Sequence, residues 1–128
     1  MLRSLNEVIL LVAEDDAFNR KLIHATLSKN REIAIVEAEN GKEALMLLEE
    51  NSVDALLLDI HMPKMNGFET LERIRKDEAH KDLPIIVITS DEVEKKKSFL
   101  LGADDFLPKP FKLNELESKV NALLREKR

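Results

Sequence analysis

The sequence predicts an α/β protein in which a doubly wound parallel sheet of five strands is covered by helices on both faces. Three observations support this fold class. Short, continuous apolar runs recur along the chain, segments with helical periodicity separate them, and residues that favour helix starts precede those segments. Unbroken apolar runs suit strands that are buried on both faces, as they are in a parallel sheet.

Five apolar runs mark the predicted strands in chain order. The fourth run is rich in β-branched residues, the third is interrupted by Asp54, and the fifth is weak. The runs lie at residues 8–13, 33–36, 53–58, 85–88 and 106–107.

Apolar stripes at helical spacing follow the predicted strands. The stripes are Phe18, Leu22 and Ala25; Ala44, Leu45 and Leu48; Phe68, Leu71 and Ile74; a weaker set of Val93, Lys96 and Leu100; and Leu113, Leu116, Val120 and Leu123. Helix-start residues precede the stripes. They are Asp15 or Asp16, Asn40, Asn66, Ser90 or Asp91, and Asn114 or Lys112. Alternation of strand and helix to the end predicts one domain over residues 1–128.

The composition excludes several classes of protein. The 128 residues include 20 Lys plus Arg against 25 Asp plus Glu, so the net charge of −5 argues against direct nucleic-acid binding. The lack of cysteine excludes disulfides and thiolate metal sites. No apolar run approaches the roughly 18–20 residues that span a bilayer. We therefore expect a soluble, cytoplasmic domain without membrane insertion.

Acidic residues end two strands that we expect to be neighbours. A flavodoxin-like strand order, 2-1-3-4-5, places strands one and three side by side, and ligands bind such sheets at the carboxyl ends of the strands. Glu14, Asp15 and Asp59 would then converge in one pocket. Close carboxylates repel one another, and a divalent cation relieves this repulsion. Because only oxygen ligands are present, the pocket favours Mg²⁺.

A hydroxyl and a lysine end two further strands. Thr89 follows the fourth run and Lys109 follows the fifth. With the carboxylates and a metal they form a set suited to phosphoryl transfer, in which Asp59 can act as the nucleophile. Each residue alone has a plainer interpretation: Asp15 or Asp16 as a helix cap, Asp59 as a turn residue, Thr89 as a strand former, Lys109 as a solvated charge. Their shared place at strand ends favours the joint site.

Four sequence blocks resemble the response regulator receiver domain of two-component signalling, including its chemotaxis regulators. The blocks lie in family order and cover essentially the whole chain. They are residues 11–16 (LVAEDD), 56–67 (LLLDIHMPKMNG), 86–90 (IVITS) and 102–111 (GADDFLPKPF).

The resemblance implies a metal and phosphoacceptor site. Asp59 would accept the phosphoryl group. Asp15 would bind Mg²⁺ directly, Glu14 largely through water, and Asp59 and the backbone carbonyl of His61 would complete the protein ligands. Thr89 and Lys109 would contact the phosphoryl group.

The resemblance also implies a conformational switch. Thr89 would swing towards the phosphoryl group while Phe106 turns inward, and the Lys109–Pro110 bond would be cis. A sensor histidine kinase or a histidine phosphotransfer domain would supply the phosphoryl group. A downstream target protein or an attached output domain would read the surface of helix 4, strand 5 and helix 5. The domain would be a signalling phosphoacceptor that assists its own phosphorylation and dephosphorylation, not an enzyme.

Several alternatives stay open at this stage. An aspartate-nucleophile, metal-dependent phosphatase usually carries a second Asp two residues on, where this chain has His61. A pseudo-receiver binding module usually lacks an acid, the Thr or the Lys. His61 could tune autodephosphorylation, as could Asp91, or His61 could be an exposed loop residue. The sequence leaves open the kinase, the signal, the oligomeric state, and whether the domain stands alone or belongs to a hybrid kinase or larger regulator.

Overall fold

The computed structural model describes residues 7–127, which form five strands and five helices in strict alternation. The strands are β1 (Val8–Ala13), β2 (Ile33–Ala38), β3 (Ala55–Asp59), β4 (Ile85–Thr89) and β5 (Asp105–Pro108). The helices are α1 (Ala17–Leu27), α2 (Gly41–Glu50), α3 (Gly67–Lys76), α4 (Glu92–Leu100) and α5 (Leu113–Lys127). The sheet is parallel in the order β2-β1-β3-β4-β5, which confirms the predicted fold class and strand order.

The strand order reverses beside β1. Leu11 of β1 pairs with Val36 of β2 on one side and with Leu56 of β3 on the other. Because connections between parallel strands are right-handed, α1 covers one face of the sheet, while α2, α3 and α4 cover the opposite face. The reversal leaves the carboxyl ends of β1 and β3 side by side.

Two apolar cores flank the sheet. Successive residues of a strand point to opposite faces, so Leu10 and Val12 join the core under α1 and α5, whereas Leu11 and Ala13 join the core under α2 and α3. All of β1 and all of β3 is buried. This burial on both faces is the reason that these strands read as unbroken apolar runs.

Side-chain caps start the first four helices at predicted positions. Each cap oxygen accepts a backbone N–H of the first turn, which would otherwise lack a helical partner. The pairs are Asp16 with Phe18 at 2.9 Å, Asn40 with Glu43 at 2.8 Å, Asn66 with Glu69 at 3.0 Å, and Asp91 with Val93 at 2.7 Å. At α5 the N–H of Leu116 donates to the carbonyl of Lys112, so Lys112 rather than Asn114 precedes that helix.

The predicted packing faces of α1 and α4 are wrong. In α1 the buried apolar residues are Ile23 and Leu27, while Phe18 is 70% exposed. Helix α1 carries two apolar stripes, and periodicity alone does not say which of them meets the sheet. In α4, Val93 and Leu100 are exposed and the buried residue is Ser98, whose hydroxyl donates to the carbonyl of Glu94 at 2.7 Å.

Across residues 7–127, no helix combines the length and apolar character that crossing a membrane requires.

Candidate functional site

Three carboxylates meet at the carboxyl ends of β1 and β3. Glu14 follows β1 directly, Asp15 comes next, and Asp59 is the last residue of β3. One oxygen atom from each of the three lies within 4.8 Å of the other two. Glu14 and Asp59 are fully buried, whereas Asp15 is exposed. The structure therefore brings together the three acids that the strand order was expected to juxtapose.

Glu14 is held by neutral donors and lies close to a second acid. Its carboxylate accepts the backbone N–H of Asp16 at 3.2 Å and the side-chain amide of Asn19 at 3.3 Å. Burial, together with the hydrogen bond and the charge of Asp59, raises the pKa of Glu14 to about 8. The positive charge of Lys109 and the N–H of Asp16 offset only part of this rise.

Lys109 places an ammonium group between the two buried acids. It follows β5, and its backbone N–H donates to the carbonyl of Thr89 at 3.1 Å, which extends the pairing with β4. Its Nζ lies 3.1 Å from Oδ2 of Asp59 and 3.5 Å from Oε1 of Glu14. Burial lowers the pKa of Lys109, but the two carboxylates outweigh it and the pKa lies above its usual value. Lys109 is therefore charged at neutral pH, and the peptide bond to Pro110 is cis.

The two oxygens of Asp59 have different surroundings. Oδ1 accepts the backbone N–H of His61 at 3.2 Å. Oδ2 is buried, it lies 3.1 Å from the Lys109 ammonium, and it accepts no well-aligned hydrogen bond from the described residues. A buried oxygen with free acceptor capacity, inside a cluster of oxygen donors, fits a hard divalent cation such as Mg²⁺.

The hydroxyl of Thr89, at the end of β4, is hydrogen-bonded to residues at the start of α4. Its Oγ1 donates to Oε1 of Glu94 at 2.7 Å and accepts the backbone N–H of Asp91 at 3.2 Å. Ring atom Nε2 of His61 lies 2.8 Å from the same Glu94 oxygen. Sequence reasoning did not identify Glu94, because a carboxylate in the first turn of a helix ordinarily reads as a surface charge that suits the helix dipole.

Phe106 of β5 lies on the surface formed by α4, β5 and α5. Its ring is half-buried, and two ammonium groups lie over it, with Nζ of Lys95 3.9 Å and Nζ of Lys119 4.8 Å from the ring centroid. Phe99 of α4 packs against it edge to face at 6.4 Å. Both lysines interact favourably with the ring faces, so they hold the ring in this half-exposed position.

An apolar groove opens beside Lys109. It has a volume of about 350 Å³ and is lined by Phe18, Asn19 and Leu22 of α1 and by Lys109, Pro110 and Phe111. The exposed ring of Phe18 therefore borders the carboxyl end of the sheet, next to Lys109, and does not belong to the core.

Known proteins are similar to this chain in both fold and sequence. The family described as response regulator receiver domain matches residues 10–121. Response regulator MprA of Mycobacterium sp. (strain KMS) is 42% identical over 120 residues, which cover 92% of this chain and 51% of that protein. The chain spans about half the length of the curated relatives it matches.

Solved structures give the same result. The receiver domain of the Francisella response regulator 1452 superimposes with a TM-score of 0.86 at 31% identity, covering 95% of this chain and all of that chain. The chemotaxis response regulator CheY4 of Vibrio cholerae superimposes with a TM-score of 0.85 at 27% identity, covering 92% and 99%. The matched range spans the acids that follow β1, the acid that ends β3 and the lysine after β5, and the chain belongs to the receiver domain family of two-component response regulators.

Proposed function

We propose that this chain, folded as one domain over residues 1–128, is the phosphoacceptor switch of a two-component phosphorelay. The Asp59 carboxylate attacks the phosphorus of a phosphohistidine, so that an O–P bond to Asp59 forms and the N–P bond to the imidazole breaks. The observation that carries the proposal is the buried Asp59 oxygen that lies 3.1 Å from Lys109 and accepts no hydrogen bond from the described residues. This oxygen is a nucleophile with its charge already balanced by a fixed cation.

The acidic cluster is proposed to hold Mg²⁺. Glu14, Asp15, Asp59 and the backbone carbonyl of His61 would supply the protein ligands, since all are oxygen donors and the carboxylates already converge. When bound, Mg²⁺ supplies positive charge that stabilises the transferring phosphoryl oxygens.

The protein's own residues supply the remaining interactions. The Lys109 ammonium balances negative charge on the phosphoryl group, as its position beside Asp59 supports. The Thr89 hydroxyl donates to a phosphoryl oxygen once it leaves Glu94. A new arrangement of Thr89 and Phe106 then changes the surface of α4, β5 and α5, which a target protein or an attached output domain would read.

A histidine kinase or a histidine phosphotransfer domain is the proposed phosphoryl donor. The donor must bring its phosphohistidine to the mouth of the site, and the apolar groove of Phe18, Pro110 and Phe111 lies there, next to Lys109. A ring that is 70% exposed gains from being covered by an apolar partner surface.

The direct test is phosphorylation by acetyl phosphate in the presence of Mg²⁺, followed by intact-mass spectrometry. We expect wild type to gain the mass of one phosphoryl group, and Asp59→Asn to gain none. Asp82→Asn, which changes an exposed aspartate outside the site, serves as the control and should react like wild type. Chelation of Mg²⁺ with EDTA should suppress the adduct. A wild type without an adduct would indicate a binding module that is not phosphorylated, and an undiminished adduct in Asp59→Asn would place the phosphoryl group elsewhere.

A further inference from the structure

One carboxylate oxygen on α4 joins two segments of the phosphoacceptor site. Oε1 of Glu94 accepts the hydroxyl of Thr89 at 2.7 Å and lies 2.8 Å from Nε2 of His61 in the loop after β3. The Glu94 side chain is only 21% exposed. The contact therefore ties α4 to both the end of β4 and the end of β3.

The arrangement departs from an ordinary helix start. A glutamate three residues after an aspartate cap usually reaches back to the backbone N–H of that cap residue. Here the N–H of Asp91 donates to Oγ1 of Thr89 at 3.2 Å, and Thr89 in turn donates to Glu94. The Thr89 hydroxyl thus stands between Asp91 and Glu94, and the Glu94 carboxylate binds the hydroxyl and not the helix backbone.

A hydroxyl has a single proton to donate. While Thr89 donates to Glu94, it cannot donate to a phosphoryl oxygen on Asp59. The acceptor is a carboxylate, and hydrogen bonds to ionised groups are about twice as strong as those between neutral groups. The Thr89–Glu94 hydrogen bond consequently opposes the use of Thr89 in the reaction.

We propose that Glu94 is a positioning residue that holds the Thr89 hydroxyl on α4 until the phosphoryl group arrives. The proposal rests on the phosphoacceptor function of Asp59 given above. His61 supports the contact from the opposite side, because its ring reaches the same Glu94 oxygen. Phosphorylation must break the Thr89–Glu94 hydrogen bond, so Glu94 sets part of the barrier to it.

The contact also connects the proposed phosphorylation site to the surface formed by α4, β5 and α5. Glu94 is followed directly by Lys95, whose ammonium group lies 3.9 Å from the Phe106 ring centroid. The first turn of α4 therefore contacts both predicted switch residues, Thr89 through Glu94 and Phe106 through Lys95. When Thr89 releases Glu94, the first turn of α4 loses a contact with β4. Lys95, which lies over the Phe106 ring, belongs to the same turn, so this change reaches Phe106.

The test compares rates of adduct formation with acetyl phosphate and Mg²⁺. We expect Glu94→Ala to react about tenfold or more faster than wild type, because tenfold is near the lower end of the range for losing one hydrogen bond to a charged acceptor. Glu94→Gln should lie between the two, because a neutral amide oxygen is the weaker acceptor. Glu72→Gln removes an exposed carboxylate of α3, away from Thr89 and Phe106, and should react at the wild-type rate.

A double-mutant cycle separates positioning from a structural effect. If Glu94 acts through the Thr89 hydroxyl, Glu94→Ala should give no acceleration in a Thr89→Ala background. Before any phosphoryl donor is added, the NMR signal of the Thr89 methyl group in Glu94→Ala should already move towards its position in phosphorylated wild type.

The outcomes distinguish this proposal from the proposed function. A wild type that forms no adduct counts against the phosphoacceptor role. A normal wild-type adduct overturns the Glu94 proposal in either of two cases: Glu94→Ala reacts no faster, or its acceleration persists in the Thr89→Ala background. If Glu94→Ala reacts no faster, the contacts of Glu94 with Thr89 and His61 are only structural.

Discussion

Glu14 departs furthest from the behaviour of an ordinary surface carboxylate. It is fully buried, it lies beside a second buried acid, and its pKa is raised from 4.5 to about 8. At neutral pH the metal-free site therefore relieves its own repulsion by holding a proton on Glu14. The proposed Mg²⁺ would compete with this proton for the same carboxylate, so removal of the metal and a change of pH would act on one group.

The metal-free protein should lose stability as the pH rises from about 4.5 to about 8. In this window the unfolded chain has already released the Glu14 proton, whereas the folded chain still holds it, so each step up in pH disfavours the folded state. For one proton the slope is at most about 1.4 kcal/mol per pH unit. Urea unfolding in EDTA at stepped pH measures it. Glu14→Gln should remove this component, and an equal slope in both proteins would show that another group is responsible.

At the scale of elements, the start of α3 fixes the end of β3. Gly67 is the first residue of α3, and its N–H donates to the carbonyl of Ile60 at 2.9 Å. A Cβ at this position would lie 2.6 Å from the carbonyl oxygen of Asp59 and 2.7 Å from Cα of Ile60. Both neighbours are backbone atoms, so they cannot move aside as a flexible side chain can. The absence of a side chain on Gly67 lets α3 pack directly behind Asp59.

Gly67→Ala should therefore destabilise the fold and disturb Asp59 together. Overpacking of this kind costs about 1–3 kcal/mol, and the strain falls on the backbone that carries Asp59. We expect a lower urea midpoint and slower adduct formation with acetyl phosphate. Glu72→Ala, which truncates an exposed residue of the same helix, should change neither quantity. A Gly67→Ala protein with wild-type stability and rate would show that the two segments can separate at little cost.

Among the helices and strands, some features are predictable from the sequence and others are not. The strands were predictable because burial on both faces leaves unbroken apolar runs, and the four helix caps were predictable because few residue types can satisfy free N–H groups. The packing face of α1 was not predictable from the sequence, because Phe18 is apolar yet borders a surface groove. The contacts of Glu94 were not predictable either, because they depend on how α4 lies against Thr89 and against His61, which is distant in the sequence.

At the scale of the whole molecule, the topology of the sheet brings the site residues together from four different strand ends. Glu14 and Asp15 come from the end of β1, Asp59 from β3, Thr89 from β4 and Lys109 from the end of β5. Folding therefore places three acids of a chain whose net charge is −5 at the carboxyl edge of the sheet, together with the partly buried ammonium group of Lys109 after β5. The proposed Mg²⁺ would share with Lys109 the neutralisation of these carboxylates.

Because the two positive groups share one set of carboxylates, Lys109→Met should have opposite effects on metal binding and on phosphorylation. Loss of the ammonium group makes the pocket more negative, so Mg²⁺ should bind more tightly and raise the unfolding temperature more than it does in wild type. The adduct with acetyl phosphate should form more slowly, because the phosphoryl group loses its fixed counter-charge.

Thermal unfolding across a Mg²⁺ titration measures the effect on metal binding, and intact-mass spectrometry measures the effect on phosphorylation. Lys112→Met, which changes an exposed neighbour, is the matched control. A smaller Mg²⁺-induced rise in Lys109→Met than in wild type would mean that the lysine organises the carboxylates for the cation, and that it does not compete with it.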